Sequence, residues 1–245
     1  MGKTERSDMK INGDGSLSGG AFGAVTINGA GTVHGDVDCS TLRVNGAGDI
    51  DGAVKAETVI VNGSASFKRE VHAGEMTVNG DSTVHGGAGI GILKVKGRLA
   101  IDGGLAAREV ELRGDMRVGN DLEAEVFDGE GAFKIGGLLN AGVVDMRVHG
   151  ASSAREIGGE RITVRLPRGF SALSAIFTFS TDKRLTVETI EGDEIYLEST
   201  VAKVVRGGRV QIGEGCDIDL VEYTSEIITT PGVVVKASRK IDFVS

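Results

Sequence analysis

The sequence predicts an all-β chain that folds as a parallel β-helix with a triangular cross-section and about 17 residues in each turn. Three observations support this fold class: a five-residue motif that recurs at a constant interval, two further apolar residues at fixed offsets after it, and glycines between those residues. A repeat of this length carries only a few short strands and cannot close a core alone. Each copy must therefore stack on the next in a solenoid.

The recurrent motif consists of an apolar residue, any residue, a second apolar residue, a polar residue and glycine. Its six copies begin at Val25, Leu42, Val59, Met76, Leu93 and Val110. Apolar residues two positions apart are typical of a strand with one buried face. Each copy therefore predicts a short strand whose two apolar side chains point into the coil.

Two further apolar positions follow the motif in each turn, as a coil with three flat faces requires. The first series comprises Val33, Ile50, Phe67, Val84, Ile101, Val118 and Ile135. The second series comprises Val37, Val54, Val71, Ala88, Leu105, Leu122 and Leu139. Together with the motif, these positions predict the inward side chains of all three faces.

The glycine that closes each motif is expected at a corner between faces, because a corner often requires the positive φ that glycine adopts at little cost. These structural corner residues are Gly29, Gly46, Gly63, Gly80, Gly97 and Gly114. Asparagine precedes the glycine in four consecutive copies, at Asn28, Asn45, Asn62 and Asn79. We interpret this column as a structural ladder of stacked side chains and not as a binding site.

The pattern divides the chain into four parts. Residues 1–10 read as a polar tail, 11–150 as the regular β-helix, 151–184 as an irregular segment, and 185–245 as further turns and C-terminal strands. An insertion is predicted near 167–184, after the break at Pro167. Its stretch from Phe170 to Ser180 is unusually aromatic for this chain, and we expect it to pack on the coil or to offer a contact surface.

Composition restricts the class of partner and the compartment. A net charge of −8 argues against nucleic acid, since phosphate binding needs a surplus of Lys and Arg. The start of the chain lacks the apolar core of a signal peptide, and no run of eighteen apolar residues occurs. We therefore expect a cytoplasmic protein, in which Cys39 and Cys216 act as small buried hydrophobes.

No motif in the sequence predicts a catalytic, metal or cofactor site. The GxG fragments do not complete a dinucleotide fingerprint, and no nucleophile motif is present. His34 and His85 occupy equivalent places three turns apart, which is too far to share a metal ion. Asp51 and Asp102 stand in the same column, again three turns apart. Paired carboxylates of a polysaccharide-degrading enzyme are the alternative that folded loops leave open.

Several segments resemble the bactofilins, a family of polymer-forming bacterial cytoskeletal proteins. The residues that carry the resemblance in the first turns are Thr26–Gly29, Val33–Gly35, Arg43–Gly46, Ile50–Gly52 and Thr77–Gly80. Three later segments look like the longer form found in Firmicutes, namely Gly192–Glu198, Ala202–Gly207 and Ile212–Cys216. Together these segments are spread over most of the chain.

The resemblance implies a right-handed β-helix that polymerises end to end without nucleotide and serves as a scaffold for cell-envelope, shape or motility machinery. It also implies no cofactor, with self as the partner and a paralogous subunit as a further candidate. Members often carry a short apolar or amphipathic N-terminal membrane-binding tail. Residues 1–10 depart from that pattern, which argues against direct membrane binding and for recruitment to the inner face of the membrane through partners.

The end turns of a solenoid expose unpaired strand edges and part of the apolar core, which natural coils must cap or use. Two competent ends would produce an open fibre. The candidate end-to-end contacts are Ile11, Val25 and Ile27 at one end, and Ile218, Leu220 and Tyr223 at the other.

The leading hypothesis is therefore a non-enzymatic filament subunit. The alternatives are a monomeric β-helix that acts as a binding or adaptor module, and a carbohydrate-active enzyme. Imaging of the purified protein separates the first two, and two carboxylates within about 5 to 10 Å in an open groove would favour the third.

Overall fold

The computed structural model describes residues 6–166 and 183–242, and all of its regular elements are β-strands. Among these residues no helix is present that could span a membrane. The strands are β1 (Met9–Ile11), β2 (Gly15–Ile27), β3 (Ala30–Val44), β4 (Ala47–Ile50), β5 (Val54–Val61), β6 (Ser64–Phe67), β7 (Val71–Val78), β8 (Asp81–Val84), β9 (Ala88–Val95), β10 (Arg98–Ile101), β11 (Leu105–Leu112), β12 (Asp115–Val118), β13 (Leu122–Ile135), β14 (Leu138–Val148), β15 (Ser152–Ser153), β16 (Glu156–Arg165), β17 (Leu185–Leu197), β18 (Thr200–Ile212), β19 (Asp217–Thr229) and β20 (Val234–Lys240).

The chain consists of two compact units. Unit 1 comprises residues 1–120 with strands β1–β12, and unit 2 comprises residues 121–245 with strands β13–β20. Within each unit, strands of successive turns pair in parallel. The all-β solenoid predicted from the repeat is therefore confirmed, whereas its right hand and triangular cross-section stay predictions.

From β3 onward, unit 1 keeps the constant period of the sequence motif in its strand register. Leu42 pairs with Val59, Val59 with Met76, Met76 with Leu93, and Leu93 with Val110. All five side chains are fully buried. Because consecutive members of this series pack on one another, each turn buries apolar area that a single turn could not bury alone.

The corners require glycine because the backbone of the preceding turn lies very close to them, and not because their φ is positive. Gly29, Gly46, Gly63, Gly80, Gly97 and Gly114 are all absent from the residues with positive φ. A Cβ built on Gly63 would instead lie well inside van der Waals contact of the Gly46 carbonyl oxygen, and the other five positions repeat this approach. Our expectation of positive φ at these corners was wrong, although the positions themselves carry a strict requirement for glycine.

The asparagine column forms the ladder that the sequence predicts. The side-chain amide of Asn45 donates to the Oδ1 of Asn28 at 2.8 Å, and the same bond joins Asn62 to Asn45 and Asn79 to Asn62. Asn28 in turn donates to Asn12 at 2.7 Å, so the ladder extends one residue beyond the predicted set. Each bond fixes the register of two neighbouring turns at one corner.

Unit 2 stacks in the same way but with a variable period. Ile190 pairs with Val205, Val205 with Val221, and Val221 with Ser238, so each of these steps along the chain is one residue longer than the step before it. Unit 2 therefore does not follow the strict repeat of unit 1.

The structure also shifts two boundaries that the pattern indicated. Met9 and Lys10 belong to β1 and pair with Val25 and Thr26, so the β-structure begins inside the stretch that we interpreted as a polar tail. Strands β15 and β16 lie in register with their neighbours, so parallel pairing extends to Arg165 within the segment expected to be irregular. The predicted insertion, with Phe170 to Ser180, lies mostly outside the described residues.

Candidate functional site at the two strand edges

The N-terminal edge of unit 1 consists of β1 together with residues 15–22 of β2. Strand β1 covers only the last residues of β2, through the pairs Met9 with Val25 and Ile11 with Ile27. Within the part of the chain that the structure describes, residues 15–22 pair on one side alone, with β3. This edge therefore leaves backbone hydrogen-bonding groups without a strand partner.

At this edge, apolar side chains of the interior columns are partly exposed to solvent. Met9, Ile11, Leu17 and Phe22 are only half-buried, although they occupy the same columns as residues that are buried one turn further in. Val25 and Ile27, by contrast, are 0% exposed because β1 covers them. Of the contacts predicted at this end, only Ile11 lies in the outermost strand, and Val25 and Ile27 are corrected to core residues.

The C-terminal edge of unit 2 consists of β20 together with residues 225–229 of β19. Strand β20 pairs only with Asp217–Tyr223, so residues 225–229 have no described strand on their outer side. Ile228 is 41% exposed and Val234 is 51% exposed, which places two of the most exposed large hydrophobic side chains of the described residues at this edge.

The contacts predicted at this end divide between core and edge. Ile218 is fully buried beneath Val235 and is corrected to a core residue. Leu220 and Tyr223 are half-buried and pair with Ala237 and Lys240 of β20. Sequence reasoning missed Met9, Leu17, Phe22, Ile228 and Val234; extending the interior columns by one more turn would have found the first three.

Charged side chains of alternating sign lie at matching positions of successive strands of unit 2, up to β20. We call this set the first charge column, and it consists of Arg155, Glu188, Lys203, Asp219 and Lys236. The ammonium of Lys203 lies 2.9 Å from Glu188, and that of Lys236 lies 2.5 Å from Asp219. The hydrogen bond from Lys203 lowers the pKa of Glu188, and the bond to Asp219 raises the pKa of Lys236.

The second charge column consists of Glu191, Arg206, Glu222 and Arg239, which pair in succession from β17 to β20. Arg206 Nε donates to Glu222 at 2.8 Å, and Arg239 Nε donates to the other carboxylate oxygen at 2.7 Å. The hydrogen bond from Arg239, followed by that from Arg206, lowers the pKa of the buried Glu222 carboxyl. Glu222 therefore holds β18, β19 and β20 together through two arginines.

The third charge column consists of Arg161, Glu194, Arg209 and Glu226 on the neighbouring part of the same strands. Arg161 lies 3.2 Å from Glu194, and Arg209 lies 3.3 Å from Glu226. All three columns therefore alternate in sign from turn to turn and end at the C-terminal edge. Their outermost charges are Lys236, Arg239 and Glu226.

The four side chains of the predicted histidine column form two separate pairs. His34 Nδ1 lies 2.8 Å from Asp51, and His85 Nδ1 lies 2.8 Å from Asp102, each across one turn of unit 1. All four side chains are largely exposed. No group of three metal-ligating side chains is found among residues 6–166 and 183–242.

An open groove of about 630 Å³ in unit 2 gathers several carboxylates. It is lined in part by Glu156, Glu160, Glu191 and Asp193. Glu160 and Asp193 stand at matching positions of adjacent strands, next to the paired residues Gly159 and Gly192, so their backbones are separated by about one strand spacing of ~4.8 Å. Glycoside cleavage requires a pair of neighbouring carboxylates.

The two cysteines are buried and unpaired, as the sequence indicates. Burial raises the pKa of both thiols to about 11. Since the thiolate is the reactive form, neither side chain has the character of a nucleophile at neutral pH.

Comparisons with known proteins give partial matches. No protein-family model matches the chain, and no solved structure matches it. The chain is 40% identical over 94 residues to the uncharacterized protein YhbF of Bacillus subtilis (strain 168), and 40% identical over 92 residues to the uncharacterized protein YhbE of the same strain. Each match covers 38% of this chain, and 37% of YhbF or 38% of YhbE. The chain is thus similar to these two Bacillus proteins over little more than a third of their length.

Proposed function

We propose that this chain is a non-enzymatic scaffold subunit that assembles through its strand edges into filaments without nucleotide. The observation that carries the proposal is the pair of edges that no strand of the described residues completes. At the N-terminal edge, Met9, Leu17 and Phe22 leave the interior columns open, and at the C-terminal edge Ile228 and Val234 are exposed. A strand edge with apolar side chains beside it is a template for pairing with another chain.

The resemblance to bactofilins supports the same function and suggests its setting. On that basis the filament would support cell-envelope, shape or motility machinery in the cytoplasm, with recruitment to the inner face of the membrane through partners. Further copies of the chain and a paralogous subunit are the proposed partners. An open fibre requires only that two different edges each accept a neighbour.

Sedimentation and negative-stain imaging of the purified full chain test this function. We expect filaments at moderate salt, with a critical concentration that rises at least tenfold in Leu17→Glu, because the added charge would lie in an interior column at the N-terminal edge. Thr83→Glu is the matched control, since it adds the same charge to an outward position within unit 1. Monodisperse particles of wild type at every concentration would argue against assembly.

The acidic groove in unit 2 favours a second candidate, a carbohydrate-active enzyme. Glu160 and Asp193 would supply the two carboxylates of a glycoside-cleaving site. Release of reducing ends from a polysaccharide by wild type, with loss of that activity in Asp193→Asn, would support this second function over the first.

A further inference from the structure

The C-terminal edge carries a pattern of charge that specifies what can pair with it. In each of the three charge columns the sign alternates between neighbouring strands, and most neighbouring members lie within 2.5 to 3.3 Å of one another. If the alternation continues by one strand, the next residue must be an anion opposite Lys236, an anion opposite Arg239 and a cation opposite Glu226. Opposite charges in directly facing positions stabilise strand pairing, and like charges destabilise it.

We propose that the C-terminal edge takes an acidic strand of another chain, with carboxylates three residues apart that lie opposite Lys236 and Arg239 and with a break in the alternation of side chains between them, as in β19. The proposal rests on the proposed function in one respect, namely that the strand edges are assembly surfaces. The partner strand has a template within the chain: β19 places Asp219 and Glu222 opposite the same two cations, and Ile218 and Val221 of β19 point into the core.

A seven-residue peptide with the sequence of Asp217–Tyr223 is therefore the probe. Labelled peptide is titrated with the full chain at low salt and followed by fluorescence anisotropy. The comparison peptide has Lys at the positions of Asp219 and Glu222. We expect the acidic peptide to bind roughly fivefold or more tightly than the basic one. The preference should shrink at high salt, because exposed charges are screened.

Two double variants show whether the edge is responsible. Lys236→Gln with Arg239→Gln should abolish the preference, whereas Arg98→Gln with Arg117→Gln removes the same charge from unit 1 and should retain it. Equal binding of both peptides to wild type would overturn the proposal, and so would an unchanged preference in the edge variant with its β-sheet circular dichroism intact. Peptide binding is measured without filaments, so a failure of the scaffold function appears separately, as an absence of filaments on imaging.

Discussion

Single residues in this chain are constrained chiefly by what lies one turn away. Gly63 has no Cβ because the Gly46 carbonyl occupies that space, and Asn62 is held by its hydrogen bond to Asn45. Neither constraint arises from neighbours in sequence. A substitution at one turn is therefore felt first by the adjacent turns.

Gly63→Ala tests this constraint. The new methyl group would force two turns apart at a corner, and we expect a loss of roughly 1 to 3 kcal/mol in the free energy of unfolding, measured by denaturant titration. Gly87→Ala is the control, because its Cβ would meet the nearest atom at 3.4 Å and its φ is not positive. Equal effects of the two substitutions would show that loss of glycine itself, and not the close approach, is what matters.

Ile27 and Thr26 provide a matched pair of adjacent positions. Ile27 is fully buried, so Ile27→Glu should cost roughly 3 kcal/mol or more and should also impair assembly. Thr26 lies between Lys10 and Arg43 of the neighbouring strands, so Thr26→Glu should be tolerated. Thermal unfolding and sedimentation measure both effects, and comparable damage from the two would contradict the inward and outward assignment.

At the scale of the strand, β20 depends on one carboxylate. Glu222 accepts hydrogen bonds from Arg206 and Arg239, and its pKa is lowered below the ordinary value of 4.5. A group with a lowered pKa stabilises the fold fully above its unfolded value, and that stabilisation is lost as the pH falls through the folded value.

We therefore expect β20 to detach in acid before the rest of unit 2. Amide hydrogen exchange of Val234–Lys240 should accelerate, relative to β18, as the pH falls below about 4. Glu222→Gln should exchange faster at neutral pH and lose most of this pH dependence. An acid response that is identical in wild type and variant would assign it to other carboxylates.

The sequence predicts some strands far better than others, for a physical reason. From β3 to β11 of unit 1 the period is constant, so the columns of Leu42 and Ile50 and the asparagine ladder can be read by counting. In unit 2 the step varies, and the register of Arg206 with Glu222 cannot be counted from the sequence. The charge columns were missed because they exist only once this register is known.

The edges illustrate a second limit. Periodicity marks a residue as inward but does not indicate which copy is outermost, so Val25, Ile27 and Ile218 were assigned to the ends although neighbouring strands cover them. Leu17 and Phe22 are interior by position and exposed only because no described strand follows on that side. Their exposure is a property of the stack and not of the local sequence.

At the scale of the whole molecule, the net charge opposes an assembly that apolar edges favour. The chain carries a net charge of −8, so copies repel one another at low salt, where the Debye length is long. Assembly driven by apolar edges should therefore increase as NaCl rises from about 10 to 150 mM. Light scattering at fixed protein concentration measures this, and a decrease over that range would indicate that attraction between charges drives assembly.

The constant register of unit 1 has a consequence for how such a chain can change in length. Adding or deleting one complete copy, from one corner glycine to the next, leaves every inward column in phase and the asparagine amides still within reach of one another. A change of one residue inside a strand would instead turn the later side chains of that strand to the opposite face. Within the strands of unit 1, insertions and deletions should thus survive in whole multiples of the copy, whereas the segments between strands can absorb single residues, as the unequal steps of unit 2 show.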